Sequence, residues 1–307
     1  MPRYLYSPMH PRFYSGTLIQ IIIILALAWI LVMLYKKWMP QKEGFAQREK
    51  FIMKREQDAN DMFYAEVYDQ LHLPEQRVPF ELKTILSLTQ ASDASVFLDV
   101  GSSTGYLVNQ LTSLGYDAYG IDKSKAMVEY SEKKYPESLV KHGDIHDAMN
   151  YETNTFSHIL CMDSTIYHLK DKVGFFRNCF GWLRPGGHLV VHLVEPKKMN
   201  VKPSIDTSDK PMFLKENQTV DSIIDFGEFK YKVSYKLDAS GTQGTMTETF
   251  FDGLSGNIRQ NEKTMYYTPL QDILSIANYS GFIPEGKVDM SELNGDENQY
   301  IYVFVRP

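Results

Sequence analysis

Phe97-Leu-Asp-Val-Gly-Ser-Ser-Thr-Gly105 is the stretch whose reading decides the fold. The apolar run Val96, Phe97, Leu98 has the length of a buried strand and leads into an acid, Asp99. A loop with glycines at 101 and 105 follows, and then an apolar, helix-like stretch from Tyr106 to Leu114. Strand, tight glycine loop and helix in that order aim backbone N–H groups and a helix N-terminus at a ligand. An anionic or zwitterionic ligand suits such a site.

Outward from this stretch, strand and helix signals alternate. Ala118–Ile121 reads as a strand ending at Asp122, and Ser124–Lys134 as a helix with Ser124 as its N-cap. Leu139–His142 is a short strand ending near Asp144, and Phe156–Met162 a strand ending at Asp163. Lys172–Leu183 reads as a helix stopped by Arg184-Pro185-Gly186-Gly187, and His188–Val194 as a strong strand. Strand–helix units in series predict an α/β fold, a doubly wound and mostly parallel sheet with helices on both faces. Right-handed crossovers then bring the acid-bearing strand ends to one edge.

The pattern changes after Pro196. Residues 197–220 read as a polar loop, and Phe226–Leu237, Gly244–Phe251 and Asn257–Tyr267 as antiparallel strands joined by glycine-containing turns. Pro269–Tyr279 returns to helix, and Phe282–Asp289 with Tyr300–Val305 closes the chain as a hairpin. On the N-terminal side, residues 41–70 read as one or two helices ended by Pro74 and Pro79. Phe80–Leu88 reads as a further amphipathic helix.

Thr17–Tyr35 stands apart, because it holds no charge and a single Gln. At ~1.5 Å rise per residue it approaches the ~30 Å of a hydrocarbon core, and it lacks the polar face of a soluble helix. No small-residue cleavage site follows in Tyr35-Lys36-Lys37-Trp38-Met39-Pro40, so an uncleaved single-pass anchor is expected. Lys36, Lys37, Lys42, Arg48 and Lys50 after the segment outnumber Arg3 and Arg12 before it. The positive-inside rule therefore puts the C-terminal bulk in the cytoplasm. The chain has 307 residues and a formal net charge of −6, which argues against a nucleic-acid backbone as partner. Cys161 and Cys179 sit in apolar patterns and read as buried thiols. His142, His146, His158, His168, His188 and His192 are too scattered for a metal site, and none is expected.

Four acids, Asp99, Asp122, Asp144 and Asp163, sit at or just after the ends of four successive strands. Ligands of open parallel sheets bind outside the carboxyl ends of strands, where strand order reverses. One acid there means little; four in order, the first beside a glycine loop, point to a built pocket.

Those residues resemble class I S-adenosylmethionine-dependent methyltransferases. Phe97–Gly105 is similar to the family's first motif, Tyr119-Gly-Ile-Asp122 to its second and His142-Gly-Asp144 to its third. Phe156-Ser-His-Ile-Leu-Cys-Met-Asp163 is similar to the fourth, and Leu183-Arg-Pro-Gly-Gly-His-Leu-Val190 to the turn and strand that follow. The resemblance covers about 93–195 and returns over 269–305. It implies a seven-stranded Rossmann-like sheet with a terminal antiparallel hairpin, and S-adenosyl-L-methionine as cofactor. Ser102 and Ser103 depart from the small residues the family often has there, Ser103 standing where glycine is common.

The resemblance also implies roles. Gly101 and Gly105, with Ser102 and Ser103, would let the backbone approach the methionine end of the cofactor, and Asp99 would meet its ammonium. Asp122 would take two ribose hydroxyls, with Lys123 beside it. Asp144, with Ile145, would meet the adenine, and Asp163 the methionine portion and the acceptor. A nicotinamide dinucleotide needs G-x-G-x-x-G, and Gly101-Ser102-Ser103-Thr104-Gly105 fails that spacing.

On the acceptor side, Tyr167 and His168 follow the fourth strand, and His168 could take a proton from a hydroxyl or amine. Tyr64 and Tyr68 lie one helical turn apart and share a face, suited to cation–π attraction toward a sulfonium. Arg259, Glu262, Tyr266 and Tyr267 are candidates to line the acceptor side. No Asn-Pro-Pro-Tyr-like tetrapeptide follows Asp163, which disfavours amines of DNA bases, and no Asp-Asn pair of the Mg²⁺-dependent kind is found.

The expected organisation is a tail (1–16), a transmembrane helix (17–35), helices capping the site (36–92) and a methyltransferase domain (93–307). Residues 197–267 form an acceptor-side β insert within that domain. The expected function is in-line methyl transfer to a small-molecule or lipid-like acceptor near a membrane. Alternatives are methylation of a membrane-proximal protein and a non-catalytic scaffold.

Overall fold

The computed structural model describes residues 14–38, 45, 47, 49–208 and 210–307. The chain divides into two compact units, Met1–Lys42 and Glu43–Pro307.

The first unit holds helix α1, Tyr14–Trp38. The side chains described on it, residues 18–34, are all exposed, Leu25 by 64% and Leu31 by 65%. Among the described residues, no helix is long and apolar enough to cross a membrane. The expected span over 17–35 is thus not carried by the described residues, and residues 1–13 and 39–44 lie outside them.

The second unit begins with strand β1 (Phe51–Arg55), where the sequence predicts helix. Helix α2 (Met62–His72) follows, with the Asp61 carboxylate accepting from the Tyr64 N–H at 3.3 Å as its N-cap. Helix α3 (Pro74–Thr89) starts at Pro74 and contains Pro79. Pro74 opens the helix instead of ending one, because the first turn needs no N–H donor. The expected alternation follows: β2 (Val96–Val100), α4 (Tyr106–Ser113), β3 (Asp117–Asp122), α5 (Lys125–Lys134), β4 (Leu139–His142), β5 (Phe156–Cys161), α6 (Lys172–Trp182) and β6 (Leu183–Val194). Ser124 caps α5 as predicted, its hydroxyl oxygen accepting from the Met127 N–H at 3.1 Å.

The insert then supplies β7 (Thr219–Asp225), β8 (Phe229–Leu237), β9 (Gln243–Asp252) and β10 (Ile258–Tyr266). β7 is a strand the sequence does not announce. Helix α7 (Leu270–Tyr279) and the hairpin β11 (Ile283–Met290) and β12 (Asp296–Val305) end the chain.

The main sheet has seven strands in the order β11-β12-β6-β5-β2-β3-β4. β2, β3, β4, β5 and β6 run parallel, whereas β12 is antiparallel to both β6 and β11. Strand order reverses between β2 and β5, so the carboxyl ends of these two strands flank the switch point. Period-2 alternation feeds both faces: Phe97 enters one apolar cluster with α3 and α4, while Leu98 and Val100 enter the other with α6 and α7. Cys161 and Cys179 are free, buried thiols in this second cluster.

A second sheet has the order β1-β10-β9-β8-β7. It is antiparallel except for β1, which runs parallel to β10 from Phe51↔Ile258 to Arg55↔Glu262. Phe63, Tyr64, Val67 and Leu71 of α2 are 5% exposed or less and share one cluster with Phe229, Tyr231 and Phe250 of this sheet. At about 1.5–3 kcal/mol per fully buried large apolar side chain, this packing ties α2 to the insert.

Candidate active site

A cleft of about 1020 Å³ opens at the carboxyl ends of β2, β3 and β5. Its walls come from those strand ends, from α2 and the start of α3, and from the inner face of the second sheet. The volume is at the top of the ~300–1,000 Å³ range of small-molecule sites, enough for two small molecules side by side. Of the residues predicted for the site, Gly101, Ser103, Asp122, Lys123, Asp144, Ile145, Asp163, Tyr64, Tyr68, Tyr167 and His168 line it together. Asp99, Ser102 and Gly105 are not among its lining residues.

The glycine loop is braced by bonds within the protein. The Gly101 and Ser102 N–H groups donate to the Ile121 carbonyl at 2.8 and 3.2 Å, and the Ser103 N–H donates to Asp122 Oδ2 at 2.9 Å. These amides are used inside the protein and are not offered to a ligand. The loop provides shape instead. Gly101 has φ +70°, and a Cβ there would come within 2.6 Å of Thr165 Cγ2. Gly105, also at positive φ, begins α4, where a Cβ would overlap the Ser131 hydroxyl. Its glycine serves helix packing instead of ligand approach. Ser102 is buried and packs toward Gly120.

Asp99 is 5% exposed, and burial pushes its carboxyl pKa well up, with Arg77 opposing. Asp122 accepts from two amides, Ser103 at Oδ2 and Ser124 at Oδ1 (2.7 Å). Burial raises its pKa, and those two hydrogen bonds work against the rise. Each Asp122 oxygen retains acceptor capacity toward the cleft. Asp144 accepts from the His146 N–H at 3.0 Å and pairs with Lys123 Nζ at 2.7 Å. Burial would raise its pKa, but the Lys123 and His146 hydrogen bonds prevail and lower it to about 2.

Asp163 is the most heavily engaged acid. Its Oδ2 accepts from the Tyr68 hydroxyl at 3.3 Å, lies 3.1 Å from His72 Nδ1 and is 3.5 Å from Arg77 Nη2. Burial alone would raise its pKa, yet Arg77 and then His72 hold the carboxyl well below the usual range. Arg77 is itself fixed by Glu81, with Nη1 at 2.7 Å from each carboxylate oxygen. Its Nε is buried without a hydrogen-bond partner.

The aromatic pair on α2 is spoken for. Tyr68 stacks on His72 at 4.0 Å, and the Tyr64 ring carries Lys263 Nζ at 3.7 Å from its centroid. The Tyr64 hydroxyl donates to Glu248 Oε1 at 2.9 Å. The expected open aromatic face toward a sulfonium is therefore occupied by the protein's own cation. Tyr167 is fully buried; its hydroxyl donates to the Val194 carbonyl at 3.2 Å and accepts from the Val194 N–H at 2.9 Å. Because β6 takes up that hydroxyl, Tyr167 does not present a catalytic one. His168 is exposed and opens onto the cleft.

The insert contributes Lys263 and Glu248, which sequence reasoning missed. β10 points Arg259, Asn261, Lys263 and Met265 inward, and β9 points Met246, Glu248 and Phe250 inward. Glu248 is 1% exposed and accepts from Tyr64 and Tyr231, both at 2.9 Å. Arg259, predicted to line the acceptor side, is instead a buried clamp. Its Nη2 donates to Asp61 Oδ1 at 2.8 Å, its Nε to Asn261 Oδ1 at 3.0 Å, and it lies over Phe63 at 4.6 Å. Glu262 faces away and pairs with Arg55, whereas Tyr266 and Tyr267 do line the cleft. No group of metal-binding side chains occurs among the described residues.

Residues 98–191 match the family model described as "Methyltransferase domain". A probable S-adenosylmethionine-dependent methyltransferase of Mycolicibacterium smegmatis is 26% identical over 119 residues, 39% of this chain and 45% of that protein. The chain thus spans less than half the length of that relative. Among solved structures, the CcbJ methyltransferase of Streptomyces caelestis superposes with a TM-score of 0.64 at 16% identity, covering 79% of this chain and 96% of that one. SAM-bound CalS10, an amino pentose methyltransferase of Micromonospora echinaspora, gives 0.54 at 16% identity, with 75% and 90% covered. These two likenesses establish the fold. Residues 98–191 are therefore similar to a methyltransferase domain.

Proposed function

We propose that the chain transfers a methyl group from S-adenosylmethionine to a small-molecule acceptor bound in the cleft under the second sheet. The observation that carries this reading is the convergence of Gly101, Asp122 and Asp163 on one rim of a cleft with room for two small molecules. The residues fit the cofactor chemically. Gly101 keeps the floor clear where a side chain would strike Thr165, Asp122 keeps acceptor capacity for two hydroxyls, and the unpartnered Arg77 Nε suits a carboxylate.

When bound, the cofactor supplies a sulfonium methyl open to in-line displacement. The chain's own work is to bind and orient, which is worth much in such a reaction. Asp122 would hold the ribose, Asp144 and Ile145 would border the adenine, and Arg77 would face the methionine end, with Asp99 buried behind it. His168, exposed on the cleft, would accept a proton from an acceptor O–H or N–H at one of its ring nitrogens. The relative and neighbours support a small acceptor, CalS10 being described as an amino pentose methyltransferase.

We further propose that the apolar segment 17–35 anchors the chain to a membrane with the domain on the cytoplasmic side, raising the local concentration of membrane-associated acceptors. The uncharged sequence and the exposure of residues 18–34 support this.

Calorimetry with S-adenosylhomocysteine tests the core of the reading. Binding should be measurable in the wild type and weaken about 100-fold or more in Asp122→Ala, as two hydrogen bonds to a charged group, each worth about 1.5–3 kcal/mol, are lost. Absence of binding to the wild type would overturn the proposal.

A further inference from the structure

The hydrogen-bonding inventory of the acceptor wall restricts what can lie against it. Its carboxylates are already engaged. Asp163 faces Tyr68, His72 and Arg77. Glu248 Oε1 takes the hydroxyls of Tyr64 and Tyr231. Asp296 accepts from the Asn200 N–H at 2.7 Å and from Gln299 Nε2 at 2.9 Å. Glu248 Oε2 is buried without a hydrogen-bond partner and faces the Lys263 ammonium at 3.5 Å.

Two donors also remain. Lys263 lines the cleft with its side chain 9% exposed, and among the described residues its carboxylate partner is Glu248 Oε2 at 3.5 Å. That is longer than the ~2.7–2.9 Å of a charge-assisted hydrogen bond, and an ammonium carries three donors. Burial lowers the Lys263 pKa against the pull of Glu248, a sign that its charge is under-compensated. An independent donor lies in the same cleft. His192 is 4% exposed, and its Nδ1 accepts from the Ser164 N–H at 3.1 Å, which leaves the ring proton on Nε2. That Nε2 is buried without a partner.

We propose that the methyl acceptor carries an oxyanion, a carboxylate or a phosphate, held by Lys263, so that Lys263 determines acceptor specificity. The inference rests on the methyl-transfer reading and extends it to a substrate class. Glu248 fixes the ammonium from behind while Tyr64 supports it by cation–π contact, leaving the remaining donors toward the cleft.

The test uses the full chain with methyl-tritiated S-adenosylmethionine and a small-molecule cell extract, separated after reaction on a strong anion exchanger. The expected result is label in the retained fraction, reduced tenfold or more in Lys263→Met. Affinity for S-adenosylhomocysteine by calorimetry should stay within threefold, which shows that the variant is folded. Alkaline phosphatase then separates the two sources: a phosphate ester loses retention and a carboxylate keeps it. A readout without turnover accompanies this. Inorganic phosphate or acetate should raise the melting temperature of the S-adenosylhomocysteine-bound wild type above that in chloride, and Lys263→Met should abolish the rise. Label confined to the unretained fraction, or equal labelling by wild type and Lys263→Met, would overturn the oxyanion inference alone. Absence of label from every fraction would overturn the methyl-transfer reading and this inference with it.

Discussion

Replacing Gly101 by alanine tests the shape of the cofactor floor in a way that can be worked through. Two costs are expected. The residue sits at φ +70°, where an L side chain costs about 1–2 kcal/mol. The new Cβ would also stand 2.6 Å from Thr165 Cγ2, against an ordinary separation of ~3.5–4.0 Å, so one of the two must move by roughly 1 Å. Overpacking of that kind costs about 1–3 kcal/mol. The sum for Gly101→Ala is about 2–5 kcal/mol. Thr165→Ala separates the parts, because the Thr165 Cβ lies 3.6 Å from the built Cβ, an ordinary contact. In that background only the backbone cost should remain. Urea denaturation of the four proteins gives the coupling energy, expected at about 1–3 kcal/mol, with calorimetry reporting whether cofactor affinity follows. Additive effects, with coupling under ~0.5 kcal/mol, would refute the steric account of this glycine.

Other expectations follow from the same geometry. Arg259→Met removes a buried guanidinium from Asp61 and Asn261 and should cost about 3 kcal/mol, low in the ~3–5 kcal/mol range because Asp61 is a third exposed. For a unit of this size that is a fall of roughly 6–12 °C in melting temperature by calorimetry, and an unchanged melting temperature would remove the clamp role. His158, buried and stacked between Phe97 and His188, has its pKa lowered by burial, then by His188, to about 4. The unfolded chain takes up this proton near pH 6.5 while the folded one refuses it. Stability should therefore be full above pH 6.5 and fall as pH drops toward 4, and His158→Phe should flatten part of that slope. Carbonate extraction of membranes from expressing cells should leave the full chain in the pellet and release a variant lacking residues 1–42. Release of both would remove the anchor.

The parallel sheet and its acid-bearing rim were legible because they are encoded locally. Each strand is a short apolar run ending in an acid or glycine, and Ser124 announces its helix by position. The acceptor wall was not legible, for a physical reason. Ile258-Arg-Gln-Asn-Glu-Lys-Thr-Met-Tyr266 is polar on both faces of the strand, so no alternation says which face is buried. Lys263 and Arg259 are inside only because Glu248 and Asp61 meet them there. β1 was misread because its pairing partner lies 207 residues along the chain, between Phe51 and Ile258. Arg77 and His72 sit on helices whose sequence shows only amphipathicity, and they matter because they reach Asp163. In the glycine loop, the Gly101 and Ser102 amides bond to the Ile121 carbonyl of β3, a pairing that no local pattern announces.

The parallel pairing of β1 with β10 also fixes an order of assembly. Strands β2 to β6 are complete once the chain reaches Val194, and their contacts span about a hundred residues. The edge of the second sheet has to wait until Ile258–Tyr266 exists, and closing so long a loop is slow. During synthesis, a cofactor half can thus be formed while the acceptor half is still open. Phe51 and Met53, exposed even in the finished fold, are then on an unpaired strand, which makes this interval the one in which the nascent chain is most exposed to aggregation.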